Sequence, residues 1–67
     1  MILGKKLRRA RIVAGLTQNE IAKKLGHKNS TYICNVEAGR KNPKLYNLAK
    51  LCKYYDVELG EFILFPQ

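Results

Sequence analysis

No stretch of the sequence is rich enough in proline, serine or glycine to act as a linker, and there is no internal repeat or low-complexity tract. One domain over residues 1–67 is therefore expected. A chain this short buries only about 60% of its unfolded surface, so a second copy or a ligand is expected to help stabilise it. Long apolar runs are also missing. The longest, Phe62-Ile63-Leu64-Phe65-Pro66, is far short of a membrane span, and Met1-Ile2-Leu3-Gly4-Lys5-Lys6 does not open the apolar region of a secretory leader. These absences predict a soluble, cytoplasmic protein with no membrane partner. Cysteine is scarce: Cys34 and Cys52 have neither CxxC nor paired spacing, so two reduced thiols are expected rather than a disulfide or a zinc site. The single histidine, His27, has no second ligand at useful spacing; a turn residue near phosphate is expected there, with no metal and no cofactor. No Ser-His-Asp set, no carboxylate pair on one helical face and no phosphate loop occurs, which argues against an enzyme.

Acidic residues are few. Five Asp and Glu stand against 13 Lys and Arg, a net charge of +8, and such a balance points to a polyanionic partner. The charge alone fits DNA, RNA or anionic lipid, so its distribution along the chain has to decide.

Period-two alternation is absent, whereas apolar residues recur at three and four throughout, which predicts an all-α chain. Leu3, Leu7, Ala10 and Ala14 form the stripe of a first helix whose other faces carry Lys5, Lys6, Arg8, Arg9 and Arg11, and Gly15 ends it. Thr17-Gln18-Asn19-Glu20 is a capping box, flanked by Leu16 and Ile21 as a hydrophobic staple, so the second helix begins at Gln18. Ile21, Ala22 and Leu25 are its inner face and Gly26 stops it. A third helix is marked by Ile33, Val36 and Glu37, with Asn29 as its cap, Ser30, Thr31 and Tyr32 in its first turn, and Gly39 at its end. After the basic loop Arg40-Lys41-Asn42-Pro43-Lys44, a fourth helix carries Leu45, Leu48, Ala49, Leu51, Cys52 and Tyr55. Val57 and Leu59 lead to a short fifth helix with Phe62 and Ile63.

Residues 17–38 thus hold two short helices joined by a glycine-containing turn, the form a helix pair takes to enter a major groove. Close approach of the pair needs a small residue on the first helix, and Ala22 is suitably placed. The runs Gly15-Leu16-Thr17-Gln18-Asn19-Glu20-Ile21-Ala22-Lys23-Lys24-Leu25-Gly26 and Tyr32-Ile33-Cys34-Asn35-Val36-Glu37-Ala38-Gly39-Arg40-Lys41-Asn42-Pro43 resemble the helix-turn-helix family of phage Cro and cI repressors, the xenobiotic-response-element family. The resemblance extends over about residues 3–63. It implies a five-helix, lambda-repressor-like domain that regulates transcription, most simply as a repressor, binding double-stranded DNA as a homodimer.

The resemblance also implies roles by position. Gln18 and Asn19 would lie against phosphate at the start of the second helix. Ser30, Thr31 and Asn35 would face the groove floor with Tyr32 and Lys28 at its edge, Asn35 making a paired contact to adenine. Ala38, Arg40, Lys41 and Lys44 would follow the backbone beyond the recognition helix, and Arg11 with Glu37 would form a partly buried ion pair. At least one of Lys5, Lys6, Arg8 and Arg9 is expected to reach phosphate. Two departures from the family stand out: the turn after Gly26 is one residue longer than usual, and it offers His27 and Lys28 where an apolar plug is customary. Dimers of this kind place recognition helices about 34 Å apart, so an inverted-repeat operator follows. The apolar end, Phe62 to Phe65, is the expected dimer surface. Cys34 is read as a small side chain on the recognition helix rather than a redox sensor, and Cys52 as core. A second class of function, an antitoxin or restriction-modification controller that holds a protein partner, fits the same features.

Overall fold

Apolar residues spaced by three and four do fold as helices. The computed structural model describes residues 2–62 and places there α1 (Ile2–Val13), α2 (Gln18–Lys24), α3 (Thr31–Glu37), α4 (Leu45–Tyr55) and a 3₁₀ turn, Leu59–Glu61; no strand occurs among the described residues. The stripes Leu7 of α1, Ile21 and Ala22 of α2, Ile33 and Val36 of α3 and Leu48, Leu51, Cys52 and Tyr55 of α4 converge on one core that Phe62 closes. Burial raises the thiol pKa of Cys52 and keeps it protonated. Among the described residues, no helix is long and apolar enough to cross a membrane.

Each α-helix stops by the same device. A residue in the left-handed region (Gly15, Gly26, Gly39 or Asp56) is followed by an N–H that donates to the carbonyl five residues back: Leu16 to Arg11, His27 to Ala22, Arg40 to Asn35 and Val57 to Cys52, at 2.9 to 3.1 Å. This is the Schellman arrangement, which satisfies carbonyls a helix end would otherwise leave open. At the other end of α2 the capping box is complete: Thr17 Oγ1 accepts from the Glu20 N–H at 3.0 Å, and Glu20 Oε1 accepts from the Thr17 N–H at 2.8 Å. Those bonds to Thr17 hold the Glu20 carboxyl below its ordinary pKa.

Four expectations change. A single 3₁₀ turn stands where a fifth α-helix was expected: Glu58 enters it extended and makes no side-chain cap bond, and Gly60 disfavours continuation. Ile63 lies outside the described residues. Phe62, the first residue of the expected dimer surface, is only 6% exposed because it packs into the chain's own core; residues 63–65 of that surface are outside the described residues. α3 begins at Thr31, with Ser30 before it making no side-chain cap bond. Asn29 caps from one position further out, its Oδ1 accepting from the Thr31 N–H at 3.0 Å. Finally, Ala14, Leu45 and Ala49 are exposed rather than part of their stripes, Ala14 because α1 has already ended.

Two buried contacts clamp α1 to the end of α3. The Arg11 guanidinium meets Glu37 in a two-pronged pair, Nε to Oε2 at 2.6 Å and Nη2 to Oε1 at 3.1 Å. Arg11 Nη1 also donates to the Leu16 carbonyl at 2.9 Å, and Gln18 Nε2 donates to Glu37 Oε1 at 3.1 Å. The residues are 8% and 9% exposed, and the hydrogen bonds that Arg11 donates to Glu37 raise the Arg11 pKa further despite the opposing effect of burial. Tyr55 is buried nearby, its phenol pushed above its usual range first by desolvation and then by the charge of Glu37. The second contact is Gly4. A Cβ there would stand 2.6 Å from the backbone oxygens of both Val36 and Glu37.

Both contacts yield tests. Replacing glycine by alanine inside a helix ordinarily stabilises by about 1 kcal/mol, but Gly4→Ala is expected to lower the urea midpoint, since backbone atoms of α3 must move. Glu37→Leu should cost about 3 to 5 kcal/mol by leaving a buried guanidinium unpaired, whereas Arg11→Met combined with Glu37→Leu should recover part of that loss. Urea denaturation of the three proteins checks it; a double variant as unstable as the single one would show that the pair's value lies in its bonds to Leu16 and Gln18.

Candidate nucleic-acid interface

Helix α3 turns Ile33, Val36 and Glu37 inward, and by helical geometry Thr31, Cys34, Asn35 and Ala38 share the opposite side. Thr31, Cys34 and Ala38 are exposed, and Asn35 is half-buried. Ser30, half-buried, and Lys28, exposed, precede them in the turn. The turn runs over Lys28, Asn29 and Ser30 before α3 begins at Thr31, and Ile33 and Val36 lie in the core.

An aromatic stack replaces the missing apolar plug. The His27 and Tyr32 rings lie with centroids 4.8 Å apart and planes 11° from parallel. The Tyr32 hydroxyl accepts from Asn47 Nδ2 at 3.2 Å, and the Lys41 ammonium sits 5.7 Å from the ring centroid. Tyr32 therefore joins the turn, α3 and α4 from beside the outward face of α3 rather than on it. Its role in holding the turn was not visible from spacing, because Asn47 approaches from an element 15 residues away.

At the start of α2, Gln18 is half-buried and one of its amide hydrogens is on Glu37, while Asn19 is exposed. The basic side chains of α1 divide among different surfaces. Arg8 lines a shallow depression with Gln18, Cys34, Glu37 and Ala38, which brings it to the margin of the outward face. Lys5 and Arg9 border Ile12 and Val13, with Arg8 lying between this surface and the first, and Lys6 donates to the Glu61 carbonyl at 2.9 Å beside the Phe62 ring. Cys34 shares the outward face of α3, a placement that its position three after Thr31 makes legible in the sequence.

Beyond α3, Arg40, Lys41 and Lys44 are exposed in the loop to α4. Arg40 folds back: its Nε donates to Asn35 Oδ1 at 2.9 Å and its Nη2 lies 3.8 Å from Cys34 Sγ. Among the described residues the sole ion pair is Arg11 with Glu37, so no described carboxylate pairs with the other cations here. No cluster of three metal-ligating side chains occurs among the described residues. The result is an open, uncharged helix face flanked by Arg8 and a basic loop, a shape that a polyanionic duplex groove complements.

Comparison with known proteins agrees with this geometry. A helix-turn-helix family profile matches residues 7–62. Over 58 residues the chain is 36% identical to the transcriptional repressor RstR of the cryptic phage CTXphi from Vibrio cholerae, covering 87% of this chain and 51% of that protein; the chain thus spans about half the length of that relative. It is 33% identical over 60 residues to an HTH-type transcriptional regulator of Methanocaldococcus jannaschii, covering 90% of this chain and 89% of that protein. The matched span takes in α2, the longer turn, α3 and most of α1, and the chain belongs to the Cro/cI-type, xenobiotic-response-element family of helix-turn-helix DNA-binding proteins.

Proposed function

We propose that the chain is a sequence-specific transcriptional repressor that binds an inverted-repeat operator as a homodimer, laying α3 in the major groove of each half-site. The observation that carries the reading is the uncovered side of α3, with Thr31, Cys34, Asn35 and Ala38 outward and Arg40, Lys41 and Lys44 continuing from its end. Repression is supported by the name of the phage relative, a transcriptional repressor. A homodimer is supported by the modest core of so short a chain and by the two-fold symmetry such domains share with their sites.

In this reading Ser30, Thr31 and Asn35 meet base edges, and Tyr32 positions them through its stack on His27. Gln18, Asn19, Lys28, Lys41 and Lys44 meet phosphate, joined by Arg8 from the margin of α1. Such contacts fix the register of the protein on the duplex without reading sequence, which falls to the base-edge set. No nucleophile, metal or cofactor has a part.

Selection of sites from randomised duplex DNA should return a short inverted repeat with half-site centres roughly one helical turn apart, and the bound species should contain two chains per duplex. Recovery of no preferred sequence would refute base reading; one chain per site would refute the dimer. Asn35→Ala should lose about 1 to 3 kcal/mol of discrimination at one base position. Lys41→Ala should weaken binding on operator and random duplex alike and reduce the slope of log affinity against log salt by about one. An unchanged slope would remove Lys41 from the phosphate contacts.

A further inference from the structure

We infer that Asn35 and Arg40 act as one reading unit that presents hydrogen-bond donors to the groove and selects guanine, so that Arg40 determines specificity rather than merely following the backbone. The inference rests on the proposed reading of the major groove by α3.

The backbone brings the two side chains together. Gly39, in the left-handed region at φ 82, reverses the chain after α3, so that the Arg40 N–H donates to the Asn35 carbonyl at 2.9 Å and the Gly39 N–H to the Val36 carbonyl at 3.1 Å. In this motif the side chains at its two ends commonly meet in an apolar contact. Here they meet in a hydrogen bond instead, Arg40 Nε to Asn35 Oδ1 at 2.9 Å. A guanidinium has no acceptor, so the amide atom that faces it must be the oxygen, and the amide's orientation is settled by chemistry.

That orientation changes what Asn35 can read. Paired recognition of adenine needs the amide oxygen to accept from N6 while the amide nitrogen donates to N7. With one lone pair of Oδ1 taken by Arg40 and the guanidinium standing on that side of the amide, Asn35 offers its Nδ2 donors to a base. The guanidinium adds its terminal donors next to them, Nη2 lying 3.8 Å from Cys34 Sγ on the outward side of α3. Beside adenine these would set N–H against the N6 donor; guanine presents two acceptors, N7 and O6, and suits a donor-only pair. Arg40 is exposed, and among the described residues no carboxylate pairs with it.

The test is site selection from randomised duplex DNA with the unsubstituted chain, Asn35→Ala, Arg40→Ala and Arg40→Lys, with affinities measured on the selected site, on the site carrying adenine in place of guanine, and on random duplex. Circular dichroism would verify that each protein is folded. The unsubstituted chain should select guanine at the position where Asn35→Ala relaxes preference, and Arg40→Ala should relax the same position by about tenfold or more. Arg40→Lys, which retains the charge and a donor but lacks the Nε donor and the fork, should lose more affinity on the guanine site than on random duplex, and so show a weakened guanine preference. Adenine at that position would overturn the inference. So would an Arg40→Ala variant that loses affinity equally on all three duplexes, or an Arg40→Lys variant with undiminished preference. If the unsubstituted chain selects no site at all, the groove-reading function fails together with the inference; selection of a site that is indifferent to Arg40 defeats the inference alone.

Discussion

The buried pair of Arg11 and Glu37 is the constraint on which the other parts of the molecule depend. Its members lie on α1 and at the end of α3, and its remaining hydrogen bonds reach the Leu16 carbonyl before α2 and the Gln18 amide at the start of α2. One ion pair thus fixes three helices relative to one another at the place where the recognition helix ends. Two charges in a low-dielectric setting repay their desolvation only when geometry is good and further partners are present, and here the fork of the guanidinium and the added Leu16 and Gln18 bonds supply both. Gly4 works to the same end, since the absence of a side chain lets α1 rest directly on the carbonyls of Val36 and Glu37. Together these contacts settle how α3 is presented, because its inner side is held by both packing and charge while its outer side is left open.

The ends of the helices matter as much as their middles. A Schellman arrangement after α2 sends His27 back toward the recognition helix, where it stacks on Tyr32 and takes the place of an apolar plug. The same arrangement after α3 sends Arg40 back over Asn35. Local chain reversal by a left-handed residue thus has consequences at the outward side of α3: it decides which side chains from the turns reach that helix.

The net charge of +8 is likewise not spread evenly in its effect. Arg11 is buried and neutralised, Lys6 is tied to the Glu61 carbonyl, and Lys5 and Arg9 surround the exposed Ile12 and Val13. Arg8 at the edge of α3, and Arg40, Lys41 and Lys44 beyond it, bring cations around the outward side of that helix, while Lys24 and Lys50 lie over the rings of Tyr54 and Tyr46. Electrostatic attraction to phosphate depends on how many cations can reach the backbone at once, so this arrangement matters more than the total.

The sequence by itself determined the class of the protein and most of its local structure. The periodicity of Leu7, Ile21, Ile33, Val36, Leu48, Leu51 and Tyr55 specified helices and their inner faces, and Thr17 with Glu20 specified the start of α2, because these signals act within one or two turns of chain. The family resemblance rested on the same residues. What only the tertiary structure decided are the relations between distant segments: that Phe62 belongs to the chain's own core, that Gly4 is a point of close approach, that His27 and Asn47 both hold Tyr32, and that Arg40 is bonded to Asn35. Each depends on where a second element arrives in space, and a side chain capable of several hydrogen bonds does not reveal in its own sequence neighbourhood which partner will be within 3 Å of it.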